Sequence, residues 1–413
     1  MIGGIAVAVL VAVAAAGLWW YVDNNRHGEE RLIEKAYAAG FVEKQVEVPL
    51  SALPSLAKES EALPVGAAIQ KGEALSASEA AGGEASQADA ATQGSETPLA
   101  EGAAQDGGVA LNYAEGPDNG PALLLVHGQG MQWEDYARAL PELAKSYHVF
   151  AVDCFGHGES SHDPALYRLQ TMGEALKAFA GQTIGDSYLV SGHSSGGIIA
   201  AWLAANDAER VAGCLLEDPP LFRVTPVEMQ QEPGCFVWRD AFEVIHAFLQ
   251  QTEVEDPVVY YAQHSYLFSL FGGLQPKIAE WTVQERARHP DKHLTLAWVP
   301  HDWVRGMYFY DDFDVRFSET FYTGSWFEGV DQADLLRRIT CPTVYLKAET
   351  NYGKDGLLYA ANSDEDAARV LDLVAGCKLV TIKSGHDIHY EHPDAFATAL
   401  AQVEEDVTAA CGE

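Results

Sequence analysis

Between residues 122 and 382 short apolar runs alternate with helix-length amphipathic segments, and no other feature constrains the fold as much. The runs are ALLLV (122–126), HVFAV (148–152), SYLV (187–190), GCLL (213–216), TVYL (343–346) and KLVTI (378–382). Strands that are apolar throughout, separated by segments such as SGGIIAAWLAAN (195–206), predict a mostly parallel sheet covered on both faces by helices. The rhythm breaks once, from Pro219 to Thr340. A connection of that length needs structure of its own. Its aromatic-rich stretches, DWVRGMYFYDDFDVRF and FYTGSWF, read as a mostly helical cap.

The N-terminal third differs in kind. IGGIAVAVLVAVAAAGLWWYV, Ile2 to Val22, carries no charge, and as a helix it reaches roughly the 30 Å of a bilayer core. Trp19, Trp20 and Tyr21 would lie at one interface. A cleaved signal peptide is the competing reading, but the usual basic n-region is missing, which favours an uncleaved single-pass anchor. Arg26, Arg31 and Lys35 all follow the span, which places the bulk of the protein on the cytoplasmic side. FVEKQVEVP (41–49) and GVALNYAEG (108–116) alternate as strands do, and predict a hairpin. The acidic Ala/Gly/Ser-rich stretch 51–107 then becomes a disordered insertion in its loop, which is tolerable because closure entropy grows slowly with length. The expected organisation is therefore an anchor (1–22), a juxtamembrane segment (23–40), a core in two parts (41–218 and 341–411) and a cap (219–340).

Composition removes some functions. With 60 acidic and 26 basic residues the formal charge is −34, which argues against nucleic acid and against broad docking on anionic lipid. The 6 cysteines are too few and scattered for a disulfide scaffold, and no C-x-x-C pair or zinc pattern occurs.

The chemistry-bearing residues gather where the strands end. GHSSG (192–196) falls between a strand and a helix, the setting of a nucleophile elbow, with Ser194 at the tip of a turn too tight for side chains two residues either way. HGQG (127–130) follows ALLLV and would aim the Gln129 N–H at the same point as that of Ser195, the two donors of an oxyanion hole. DCFGHGESS (153–161) reads as a structural loop tied by Asp153, with His157 non-catalytic. SGHDIHYEHPDAF (384–396) follows the last strand and puts His386 behind a glycine, placed to act as general base. His386, His389 and His392 have a spacing that metals use, but the series starts in a loop without a further ligand cluster. No metal or organic cofactor is expected.

On His127-Gly128, Asp153 to Ser160, Gly192 to Gly196, Gly385-His386 and Glu391-His392-Pro393, the chain resembles the capped serine hydrolases of the α/β-hydrolase fold superfamily, over about residues 40 to 411. The resemblance implies a triad in the order nucleophile, acid, base and a cap after the sixth strand. A serine nucleophile matches the dehalogenase and epoxide-hydrolase members poorly. The acid departs from the pattern, since YLKAETNYGKDG puts Asn351 where Asp is usual, with Glu349 and Asp355 nearby. LLEDPP offers Glu217 and Asp218 at the end of the sixth strand instead. Asp218 is the favoured acid, with Glu349, Asn351, Glu217 and Asp355 as alternatives. The expected activity is hydrolysis of a carboxylic ester or related acyl bond with an apolar acyl group. Thioesterase, lactonase, amidase and C–C hydrolase chemistry stay open, as does a binding protein that barely turns over.

Overall fold

The computed structural model describes residues 2–56, 107–229, 234–300 and 304–412, the side chains of 2–16, 229 and 411–412 excepted. Eight strands make one mixed sheet: β1 (Val42–Pro49), β2 (Gly108–Glu115), β3 (Ala122–Val126), β4 (His148–Val152), β5 (Tyr188–His193), β6 (Val211–Glu217), β7 (Thr343–Ala348) and β8 (Lys378–Ile382). Their order is β1-β2-β4-β3-β5-β6-β7-β8. β1 and β2 pair antiparallel from Val42–Glu115 to Pro49–Gly108, and β2 pairs antiparallel with β4. Every later pair is parallel. The first two strands thus extend the parallel sheet at one edge, and the ends of β3, β5, β6, β7 and β8 open on one side, where the crossovers leave a crevice.

The principal helices are α1 (Ile2–Ala38), α2 (Leu169–Phe179), α3 (Ser195–Asn206), α4 (Pro257–His264), α5 (Gln275–Arg288), α6 (Arg316–Thr323), α7 (Asp364–Leu373) and α8 (Pro393–Gly412). α3 is buried from Ser195 to Ala204. That explains why SGGIIAAWLAAN is apolar all round: it is a core helix rather than a surface one. One core cluster packs α2 and α3 on one face of the sheet. A second, containing Leu123, Leu125, Val344, Phe396 and Leu400, packs α8 on the other. α4, α5 and α6 belong to the segment after β6, which has a core of its own around Ile245, Val258, Phe268 and Ile278. Phe317, Phe321 and Trp326 from the same segment join the main core instead.

Two expectations about the N-terminal region need adjustment. Residues 57–106, most of the expected insertion, lie outside the described residues. Those just before it are ordered: Leu53 is fully buried, and Ser55 Oγ donates to Glu174 on α2 at 2.6 Å. Among the described residues no helix is long and apolar enough to cross a membrane, and the span read at Ile2–Val22 falls mostly where side chains are not described. The helix itself does not stop at Val22. It continues to Ala38, so the residues expected to form a separate juxtamembrane segment are its second half. That half docks on the body: Asn25 Nδ2 donates to Ala297 O at 2.9 Å, and the rings of Tyr37 and Trp133 meet at 5.6 Å.

Candidate active site

Ser194 stands at the corner between β5 and α3 with φ +54° and ψ −121°. An L-residue holds that conformation only where its surroundings impose it. The flanking glycines explain how. A Cβ on Gly192 would stand 2.1 Å from the Gly196 carbonyl oxygen, and one on Gly196 would stand 2.2 Å from that of Val126. Strand end, turn and helix start are in backbone contact, which leaves no room for side chains. Ser194 N donates to Glu217 O at 2.9 Å, fastening the corner to the end of β6. The serine therefore sits at the N-terminus of a 12-residue helix, whose unpaired N–H groups favour negative charge.

The loop after β3 closes on the same point. A Cβ on Gly128 would lie 3.1 Å from Ser194 Cβ, so Gly128 is needed for close approach, and Gln129 and Ser195 line one cavity with Ser194. His157 braces this loop from behind. Its Nε2 accepts from Gly130 N at 3.0 Å while Nδ1–H donates to Phe155 O at 3.1 Å. Burial and the neighbouring His127 hold it well below the ordinary imidazole range, so it stays neutral. Asp153 ties three segments together, accepting from Trp133 N at 2.7 Å, Asn112 Nδ2 at 2.8 Å and Glu159 N at 3.2 Å.

His386, in the loop after β8, presents Nδ1 to Asp218 Oδ2 at 2.7 Å. Asp218 is fully buried at the end of β6, and its other oxygen accepts from Ala348 N at 3.1 Å. Burial works against a charge on His386, but the hydrogen bond to Asp218 and that carboxylate's charge outweigh it, leaving the imidazole above its ordinary range. Glu349, Asn351 and Asp355 are all exposed on the loop after β7. There Glu349 N bonds Ile382 O, Asn351 O accepts from Tyr359 N, and Asp355 Oδ1 accepts from Leu357 N. Glu217 takes a different partner altogether: its Oε1 accepts from His389 N at 2.7 Å and from His389 Nδ1 at 2.9 Å.

His193, the residue before the nucleophile, was not singled out in the sequence. Its Nε2 lies 3.2 Å from His386 O and 3.3 Å from Asp387 Oδ1, so it ties the elbow to the loop carrying His386. Glu391, of the Glu-His-Pro motif, accepts from Gly385 N at 2.9 Å and so closes that loop on itself. The three histidines of the loop separate: His386 faces the cavity, His389 is fully buried and His392 is exposed. Asp135, His193 and His389 offer one ligand-type atom each within 4.8 Å of one another. Arg305 is hydrogen-bonded to Asp135, and His389 is held protonated to about pH 10 against burial by the charges of Glu217 and Asp135. The positive charge such a group calls for is thus supplied by the chain itself.

The cavity over Ser194 has a volume of about 180 Å³. Met131, Phe236, Val237, Phe242 and Phe321 make its wall mainly apolar, and Asp240 completes it. The cap aromatics thus divide between the pocket and the packing of the cap itself. Asp240 is held by Tyr261 Oη and by Leu267 N, and burial raises its carboxyl to about 6. Chemically, the arrangement offers a hydroxyl on a strained corner, a partly exposed imidazole oriented by a buried carboxylate, and main-chain donors at a helix start.

Residues 123–399 match the sequence model of the alpha/beta hydrolase family. A human serine hydrolase-like protein is 31% identical over 119 residues, which are 28% of this chain and 59% of that one. The dihydrolipoyllysine-residue acetyltransferase component of an acetoin cleaving system from Cupriavidus necator is 34% identical over 112 residues, covering 27% and 30% of the two chains. This chain therefore spans less than two thirds of the length of either curated relative. Among solved structures, a membrane phospholipase A described as a bacterial virulence factor aligns over 99% of both chains with TM-score 0.50 and 19% identity. An esterase from Exiguobacterium antarcticum aligns over 72% of this chain and 96% of its own, with TM-score 0.50 and 17% identity. At that identity the likeness is one of fold. With most of the chain matched, a mixed eight-stranded sheet beneath it and a serine elbow at the strand ends, the protein belongs to the alpha/beta hydrolase family.

Proposed function

We propose that the protein is a serine hydrolase that cleaves a carboxylic ester or a related acyl bond through an acyl-enzyme on Ser194. His386 takes the hydroxyl proton and returns it to the leaving group, Asp218 orients and stabilises the imidazolium, and the N–H groups of Gln129 and Ser195 receive the oxyanion. The observation that carries the reading is the 2.7 Å contact between His386 Nδ1 and the buried Asp218, with His386 lining the same cavity as Ser194. The apolar wall favours an apolar acyl group. A span at Ile2–Val22 would hold the enzyme at a bilayer, with the basic residues Arg26, Arg31 and Lys35 on the cytoplasmic side. Exposed Trp19 and Trp20 at the end of the uncharged stretch support this. The likeness in fold to a membrane phospholipase A adds phospholipids to the substrates worth assaying.

Labelling by an active-site-directed fluorophosphonate tests the nucleophile. Labelling of the intact protein that disappears in Ser194→Ala supports the reading, whereas labelling that survives, or never occurs, rejects an activated serine there. A chain-length series of p-nitrophenyl esters, assayed beside phospholipid vesicles, then ranks substrates; a flat response across acyl lengths would contradict an acyl pocket bounded by Phe236, Phe242 and Phe321.

A further inference from the structure

Beneath the active site runs a buried row of charges that begins outside the hydrolase core. Glu29 on α1, Arg305 in the cap, Asp135 after β3, His389 after β8 and Glu217 at the end of β6 are at most 2% exposed. Arg305 Nη2 donates to Glu29 Oε1 at 2.9 Å and its Nε to the same carboxylate at 3.1 Å. On its other side Nη2 donates to Asp135 O at 2.8 Å, Nη1 bonds Asp135 Oδ1, and the guanidinium lies over the Tyr390 ring, 4.1 Å from its centre. Asp135 Oδ1 in turn lies 3.2 Å from His389 Nε2, and Glu217 holds the far side of that ring. The signs alternate along the row. Each member is buried against its neighbours, so none can leave without stranding a charge in the interior.

The row ends on both catalytic elements. Glu217 precedes Asp218 and accepts from Ser194 N through its carbonyl, while His389 lies three residues beyond His386 on the turn Ile388–Glu391. Asp135 also faces His193, with 3.7 Å between Oδ2 and Nδ1, and His193 grips the His386 carbonyl. We propose that Glu29, Arg305 and Asp135 are positioning residues, through which the docking of α1 sets the placement of the His386 loop against Asp218 and Ser194. The segment that leads toward the chain's uncharged N-terminus is then a working part of the active site rather than a tether attached to it. The inference rests on the proposed roles of Ser194, His386 and Asp218.

The test uses the full chain in detergent, comparing wild type with Glu29→Gln, which keeps the shape and removes the charge. We expect kcat and the rate of fluorophosphonate labelling to fall about tenfold with KM within about twofold, as for misplaced rather than missing catalytic groups. Backbone amides of Gly385 to Glu391 should exchange with deuterium faster than in wild type, and Glu29→Asp should recover part of the rate. The charge swap Glu29→Arg with Arg305→Glu should not recover it, because the new carboxylate at 305 would face Asp135; a two-member bridge would be restored by the same swap. A Glu29→Gln protein with a lower melting temperature but unchanged turnover and unchanged exchange at Gly385 to Glu391 overturns the proposal, leaving α1 a structural clamp. The exchange measurement decides this even if Ser194→Ala shows that another residue is the nucleophile.

Discussion

Glu217 and Asp218 are consecutive, His386 and His389 are three residues apart, and the two acids pair with the two histidines. The resulting pairs have opposite properties. His386 has one carboxylate behind it and a side chain 31% exposed toward the cavity, so its proton can come and go. His389 is enclosed between two carboxylates with no exposed surface, and its proton is fixed. Under the proposed function, the lesson is that an acid–base pair can serve catalysis only if it keeps one open side. Closed on both sides, the same groups form an internal salt link.

The most drastic way to break the contrast is at the acid. Asp218→Asn should lower kcat by about 10⁴, as removal of a triad carboxylate does, while Glu349→Gln should leave it unchanged. Loss of several orders of magnitude in the second variant alone, measured with one p-nitrophenyl ester, would transfer the role to Glu349. At the enclosed pair the larger effect should be on folding. Glu217→Gln leaves a buried imidazolium with one partner fewer and should cost about 3–5 kcal/mol by denaturant titration; a change under 1 kcal/mol would mean that the pair is solvated or neutral.

Two pH experiments sharpen the comparison further. His386 must be neutral to accept a proton, and its raised pKa means that activity climbs with pH along a limb above the free imidazole value of about 6.5. In Asp218→Asn the residual activity should climb at lower pH, since the raising charge is gone; a limb that stays put would detach it from His386. His389 acts on stability instead. Its folded pKa of about 10 exceeds the unfolded value of about 6.5, so its contribution is complete below pH 6.5 and is lost as pH rises through 10. Wild-type unfolding free energy should therefore decline between these limits, with a shallower decline in His389→Gln. The smallest effect concerns the proposed anchor: if residues 2–22 span a bilayer, a chain lacking residues 2–16 should leave the membrane fraction yet keep kcat within about twofold, because Glu29 and its partners remain. A truncated chain that stays with membranes would reject the span.

Much of this was readable along the chain. Six apolar runs announced six of the eight strands, because the strands of a helix-covered parallel sheet need near-continuous hydrophobicity; of the six only the edge strand β8 is largely exposed. The glycines around Ser194 carried the elbow, since their requirement is steric and local. The acid was harder. Alignment on β7 points to a loop whose carboxylates are exposed, whereas the favoured Asp218 follows β6, whose last residue Glu217 pairs with Leu346 of β7, and a linear pattern does not contain the register that brings it to His386. His193 carried no distinguishing signal as the second residue of a G-x-S-x-G.

Periodicity and small-residue spacing are short-range properties, and they were enough for the sheet, the corner and the serine at its tip. Which carboxylate meets which histidine is long-range: Asp218 and His386 are 168 positions apart, and Glu29 and Arg305 are 276 apart. Those partners are selected by strand order, burial and the need to neutralise every charge taken out of water, none of which exists until the chain has closed on itself.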